Sequence, residues 1–218
     1  MVLVALGLWT DGSGKRRILD WEVADKEEQA AWERLVQRLW ERGVKLETGL
    51  QAIVRDGGEG LEQALDYVYG SALVQQRCIF HKLRNVRDKG VGLDRDGKKS
   101  ELPQAAAVYE ATSAPEAQAR LAAFAEQWRL TQPQAVATFE REFEQTIRYY
   151  SLEGIVREVV RTTSLLERTN RELRRKFRQV GSFSSPKGAE VAVYIQVTRL
   201  NAESGQDDLV GSFSLPRT

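Results

Sequence analysis

The sequence places one carboxylate in a row of arginines. Counting from Glu167, arginines follow at four, seven and eleven positions, so a helix would carry them on the same face as the acid. They are Arg171, Arg174 and Arg178. The apolar side chains of this segment fall on a different face: Leu166, Leu173 and Phe177. A carboxylate within a surface that attracts phosphates indicates metal-dependent chemistry on nucleic acid. The alternative is a capping box, in which Glu167 only satisfies amides at a helix start.

A second carboxylate follows an apolar segment, residues 51–55, that predicts a buried strand. Asp56 ends this strand, and glycines then lead into a helix predicted from Glu59 to Tyr67. An acid at the carboxyl end of a strand is where α/β folds place their chemistry. Because Asp-Gly is also a common turn dipeptide, an ordinary turn residue is the alternative interpretation of Asp56.

The next predicted strand leads into a basic helix that carries the only cysteine and the only histidine of the chain, Cys78 and His81. Structural zinc usually requires four Cys or His ligands, so this pair needs carboxylates or a second chain to form such a site. A thiol nucleophile activated by His81 is a second interpretation. We favour a supporting role, in which His81 hydrogen-bonds a carboxylate or a substrate phosphate and Cys78 packs beneath the sheet.

Three separated motifs resemble, in the same order, the Mutator-type transposases of bacterial insertion sequences. They are VRDGxxGL at 54–61, QRCxxHKLRN at 76–85 and TxxxERxNRExRR at 163–175, and the resemblance extends from about Val2 to Asn201. It implies an α/β fold, an RNase H-like mixed sheet with a mostly helical insertion. It also implies a triad of two aspartates and one glutamate that binds Mg²⁺ or Mn²⁺ and catalyses DNA cleavage and strand transfer.

The resemblance assigns roles to particular residues. Asp56 matches the second acid and Glu167 the third, so both are expected to be catalytic and to bind metal. Cys78 and His81 match the Cys-x-x-His pair of the family. The arginines expected to bind DNA are Arg168, Arg171, Arg174, Arg175 and Arg178.

The first acid of the triad has no counterpart in the sequence. The family carries it on a strand that immediately precedes the one that Val2–Trp9 resembles, and we therefore expect the first strand to be absent and the chain to be truncated at its N-terminus. Asp11 lies in a predicted turn and Asp20 in the following predicted strand, and neither matches the family position. We expect weak metal binding and no transposition by this chain alone.

Three functions stay open on this basis. The first is the catalytic-domain fragment of a DDE transposase, which would act on double-stranded DNA at element ends and target and would form a homo-oligomer when full-length. The second is a decayed, non-enzymatic remnant that binds DNA or a transposase. The third is an RNase H-like nuclease that hydrolyses DNA without strand transfer.

The predicted elements divide the chain into four parts. Strands and helices of the RNase H-like core occupy 1–88, and a helical insertion follows at 89–150. The segment 151–201 holds the C-terminal core helices with the last acid, and one of these helices opens at Pro186. The residues 202–218 are rich in Gly, Ser and Asp and predict a flexible tail.

Composition limits the function classes. The net charge is only +1, which argues against a uniformly basic protein, yet residues 165–180 alone carry a charge of +4. No apolar run approaches the length that spans a bilayer, and the N-terminus lacks a signal-peptide pattern, so we expect a cytoplasmic protein without membrane contact. A single cysteine excludes an intrachain disulfide.

Overall fold

The computed structural model describes residues 1–11, 13–92, 101–155, 157–178, 183 and 185–203. The strands are β1 (Val2–Leu8), β2 (Arg16–Val23), β3 (Ala52–Arg55) and β4 (Val74–Arg77). The helices are α1 (Gln29–Glu41), α2 (Glu59–Tyr69), α3 (Ile79–Lys89), α4 (Leu102–Val108), α5 (Ala114–Trp128), α6 (Pro133–Glu140), α7 (Phe143–Thr146), α8 (Arg157–Val160), α9 (Ser164–Arg178) and α10 (Pro186–Glu203). The predicted α/β class is confirmed. From residue 204 onward, the predicted tail lies outside the described residues.

The chain forms two compact units, Met1–Glu27 with Leu166–Thr218, and Glu28–Leu165. Each contains one of the two-stranded sheets found in the described ranges, β1 with β2 and β3 with β4. The domain boundaries predicted from sequence stay a prediction.

The first unit is built on an antiparallel hairpin. β1 and β2 pair from Val2 opposite Val23 to Leu8 opposite Arg16. The core beneath them joins side chains from the hairpin, α9 and α10: Val4, Ile18, Leu173, Val193 and Val197. The buried amide of Asn201 fastens α10 to β2, because its Oδ1 accepts from the Ile18 amide at 2.9 Å and its Nδ2 donates to the Ile18 carbonyl at 3.1 Å.

The second unit begins with a parallel pair of strands. β3 and β4 run in register from Ala52 opposite Val74 to Arg55 opposite Arg77, and α2 connects them. An apolar cluster packs α1 and α2 together: Val36, Ala64, Leu65 and Leu73. Because the strands are parallel, their carboxyl ends lie at one edge of the sheet, and that edge carries Asp56 and Cys78.

A larger core holds the helical segment of the second unit. Apolar side chains at helical spacing are buried in this core: Val136, Phe139, Phe143 and Ile147. The helix that carries it is interrupted, however, because Glu142 adopts the left-handed conformation at φ 55° between α6 and α7. The break directs the Glu142 side chain toward β4, where it forms an ion pair with Arg77.

None of the helices in the described ranges combines the length and the apolar content needed to cross a membrane.

Candidate functional site

Asp56 lies at the carboxyl end of β3, where the sequence predicted it, and its side chain is exposed. One carboxylate oxygen, Oδ1, accepts a hydrogen bond from the Gly58 amide at 3.0 Å, which forms a turn before α2. The other oxygen makes no hydrogen bond to any of the described residues. The carboxylate is therefore both a turn residue and an oxygen donor that faces solvent.

A buried arginine holds the backbone of Asp56. Arg55 is 2% exposed, and its Nη1 donates to the Asp56 carbonyl at 3.2 Å. Its Nη2 forms an ion pair with Glu62 at 2.7 Å, and Nε donates to Gln75 at 2.9 Å. Burial lowers the pKa of Arg55, although Glu62 acts in the opposite direction. Sequence reasoning missed this residue, because an Arg at a strand end gives no sign of burial.

A second arginine packs directly against the turn that Asp56 begins. Arg77 is buried, and its Nη1 pairs with Glu142. A Cβ added at Gly57 would lie 2.5 Å from Nη2 of Arg77. The glycine after Asp56 therefore permits the close approach of this guanidinium, which would have to shift to make room for a side chain.

Lys82, in the first turn of α3 directly after β4, is a third buried cation. It is 2% exposed, and its ammonium donates to the backbone carbonyl of Arg141. Burial lowers the pKa of Lys82 to about 8. Arg77 and Lys82 thus connect Glu142 and Arg141, at the break between α6 and α7, to β4 and α3.

Cys78 and His81 lie close together, and Thr163 contacts both. The Thr163 amide donates to Cys78 Sγ at 3.3 Å, and the Thr163 hydroxyl lies 3.4 Å from both Sγ and His81 Nδ1. Cys78 is completely buried. Burial raises the pKa of its thiol, but hydrogen bonds from His81 and Thr163 outweigh burial, and the net direction is downward. Sequence reasoning did not identify Thr163 as part of this group.

Helix α9 has the two faces that the spacing predicts. Its apolar side packs into the core of the first unit through Leu166, Leu173 and Phe177. The five arginines of the prediction are all exposed: Arg168, Arg171, Arg174, Arg175 and Arg178. We call this set the arginine face. Glu167 lies in the first turn of α9 and is half-buried.

A groove runs between α9 and α10. Its volume is about 330 Å³, and its polar lining is Glu172, Arg175, Lys176, Gln196 and Arg199. Arg175 pairs with Glu172 at 2.8 Å, which leaves the groove with the positive charge of Lys176 and Arg199. The sequence alone did not reveal these two residues as neighbours, because Lys176 and Arg199 come together only when α10 packs against α9.

The two predicted metal ligands belong to different units, Asp56 to the second and Glu167 to the first. Within the part of the chain that the structure describes, no group of three or more His, Cys, Asp or Glu side chains is arranged to hold a metal ion. Asp56 fits a hard divalent cation on its own chemistry, since it presents an oxygen that makes no hydrogen bond to the described residues.

Sequence comparisons identify the family. The profile of the Mutator family of transposases matches residues 1–204. The transposase for insertion sequence element ISRM5 of Rhizobium meliloti is 34% identical over 175 residues, which are 80% of this chain and 42% of that protein. The transposase for insertion sequence element IS406 of Burkholderia multivorans is 33% identical over 185 residues, 85% of this chain and 46% of that protein. A probable insertion-element transposase of Corynebacterium diphtheriae is 26% identical over 196 residues, or 89% and 55%.

The chain shares this profile over almost all of its length. It belongs to the Mutator family of transposases. The chain spans about half the length of the curated relatives it matches.

Proposed function

We propose that this chain is a catalytic-domain portion of a DDE transposase, which binds double-stranded DNA and acts in the cleavage and transfer of its strands. The observation that supports this most is the arginine face of α9. Five exposed arginines lie on a helix whose opposite side is fixed in a core, so the positive charges project from a rigid support. Glu167 lies at the beginning of the same helix.

The arginine face would bind the DNA backbone. Guanidinium groups bind phosphate oxygens in pairs of hydrogen bonds, and contacts of this kind carry no sequence information. Exposed arginines spread over about three helical turns match the elongated phosphate backbone better than a compact ligand. We propose that the groove between α9 and α10 extends this surface, since Lys176 and Arg199 add positive charge beside Arg175.

Asp56 and Glu167 would hold the divalent ion. A bound Mg²⁺ or Mn²⁺ supplies activation of the attacking oxygen and stabilisation of the leaving oxygen in phosphodiester chemistry. Asp56 would contribute its solvent-facing oxygen, with its backbone held by Arg55. Glu167 would contribute a carboxylate close to the arginines that orient the DNA. Cys78 and His81 would support these acids without touching the substrate.

An RNase H-like sheet is part of this proposal. In such a sheet, a central strand pairs with a neighbour on each side. Each of the two sheets has two strands within the described ranges and so has edges to which a further strand could pair. We also propose that the protein acts in the cytoplasm and as a homo-oligomer.

The test uses purified protein, with and without an added segment that supplies the first acid, and duplexes that carry the ends of the element. Asp56→Asn and Glu167→Gln should each abolish Mn²⁺-dependent cleavage while DNA binding is kept. The matched controls are Asp88→Asn and Glu190→Gln, at exposed positions of α3 and α10. Controls that lose cleavage equally would contradict the assignment.

The same assay separates the three candidate functions. Joined DNA products support a transposase, and cleaved but unjoined products support a nuclease of the same fold. DNA binding with no cleavage under any divalent ion would leave a DNA-binding remnant.

A further inference from the structure

The segment before α9 is fastened to the junction between β4 and α3. The Ile79 amide donates to the Arg161 carbonyl at 2.9 Å, and two residues later the Thr163 amide donates to Cys78 Sγ at 3.3 Å. Two adjacent residues of the junction thus bind two positions of the segment that leads into the helix. Since α9 begins at Ser164, both bonds are made by residues that shortly precede the helix.

The same junction is fastened to the end of β3. The Cys78 amide donates to the Arg55 carbonyl at 2.7 Å, and Arg55 directly precedes Asp56. Through its amide, Cys78 therefore holds the strand that ends at Asp56, and through its sulfur it holds the segment that opens α9. Cys78 thus bonds two segments of the second unit, the end of β3 and the residues before α9.

The hydroxyl of Thr163 adds a second connection. It lies 3.4 Å from Cys78 Sγ and 3.4 Å from His81 Nδ1. A hydroxyl has one proton to donate and two lone pairs to accept with. If the proton is directed to the sulfur, His81 must donate from Nδ1, and the ring is held as the tautomer protonated at that nitrogen.

We propose that Thr163 is a positioning residue, whose hydroxyl and amide hold the start of α9 against Cys78 and His81. This inference rests on the proposed function, because Glu167 follows Thr163 by about one helical turn and is the residue that the bonds would position. It also gives the Cys-x-x-His pair a physical role that needs neither zinc nor a nucleophilic thiol.

The residue types fit this role. Sulfur is a weak acceptor that tolerates longer contacts, and at a completely buried position it can receive both an amide and a hydroxyl from Thr163. Valine at position 163 would keep the shape of the side chain and the backbone bond but remove the hydroxyl. Serine would keep the hydroxyl, so the two variants form a matched pair.

The first measurement needs no activity. Because the chain has one Cys and one His, NMR of ¹³Cβ-labelled cysteine and of ¹⁵N-labelled histidine reports on Cys78 and His81 without assignment. We expect Thr163→Val to raise the pKa of Cys78 and to shift the ring ¹⁵N signals of His81, and Thr163→Ser to preserve both. Signals that stay the same in the Val variant, or change equally in both variants, would overturn the proposal.

The second measurement concerns the reaction. We expect Thr163→Val to lower the turnover of Mn²⁺-dependent cleavage by about 10–100-fold, the usual effect of removing a residue that orients a ligand, with DNA affinity unchanged. Thr163→Ser should restore turnover. Full turnover in a Val variant whose NMR signals have changed would overturn the positioning role. Cleavage that survives Asp56→Asn would instead contradict the proposed function, and the NMR result would still decide the role of Thr163.

Discussion

The arginine face makes a quantitative prediction about salt. Each phosphate that an arginine neutralises releases condensed counterions, which contributes about 0.9 to the log–log slope of affinity against salt concentration. Replacing Arg171, Arg174 and Arg178 by alanine should therefore reduce the slope by up to about 2.7. These three residues are exposed on the side of α9 away from its core contacts, so their loss should leave the fold intact.

The predicted difference is large enough to measure by fluorescence anisotropy with a labelled duplex. Between 50 and 200 mM salt, a slope difference of about 2.7 means that the unmodified protein loses about 40-fold more affinity than the triple variant. The effect should be the same for an element end and for an unrelated duplex of equal length, because phosphate contacts do not depend on sequence.

A matched triple variant separates local contacts from net charge. Arg84, Arg87 and Arg129 are also exposed arginines, but each is paired with a carboxylate in the second unit. Their replacement by alanine changes the net charge equally and should leave the slope almost unchanged. Equal slopes for the two triple variants would contradict phosphate binding by the arginine face and would make it an ordinary solvated surface.

Three further predictions concern single residues. Burial lowers the pKa of Lys82 in the folded state from 10.5 to about 8, so between these pH values the unfolded state binds more protons than the folded state. The free energy of unfolding should therefore rise by about 2 kcal/mol from pH 8 to pH 10. Urea titrations should show this rise for the unmodified protein and not for Lys82→Met. Lys176→Gln should weaken duplex binding more than Lys187→Gln, which removes the same charge from an exposed site on α10. Equal effects would show that the groove is not part of the DNA-binding surface. Gly57→Ala should destabilise the protein by about 1–3 kcal/mol in urea, because its Cβ would meet the Arg77 guanidinium, and unchanged stability would show that Arg77 moves freely.

The sequence predicted helix α9 well because its periodicity is strong. Leu173 is buried and Arg174 is exposed, as the 3.6-residue repeat requires, and no tertiary contact opposes this pattern. The parallel strand that ends at Asp56 was recognisable for a similar reason, since an apolar run followed by Asp-Gly marks a strand and its end.

The interruption at Glu142 could not be read from the sequence. The apolar spacing of three to four residues continues from Phe139 to Phe143 across the break, because both sides bury the same face in one core. Neither Arg141 nor Glu142 disfavours a helix. The left-handed turn forms where Glu142 can pair with Arg77, a residue 65 positions away in the sequence.

The roles of Lys82 and Thr163 at the candidate site could not be predicted from the sequence for the same physical reason. Lys82 lies in a basic run that predicts exposure, yet it is buried against the Arg141 carbonyl. Thr163 looks like an ordinary residue before a helix, and its role depends on Cys78, 85 positions away. Local patterns reveal faces and ends of elements, whereas such contacts arise only when distant elements pack.

The proposed metal site requires that Asp56 and Glu167 bind one divalent ion. The most direct test is paramagnetic broadening by Mn²⁺ of assigned amide signals in the purified protein, which needs no cleavage. We predict that the amides around Asp56 and those around Glu167 broaden together at the same Mn²⁺ concentrations, and that Asp56→Asn weakens the broadening at both places. Broadening around Glu167 that is unchanged in the Asp56→Asn variant would show that the two carboxylates do not share a metal ion.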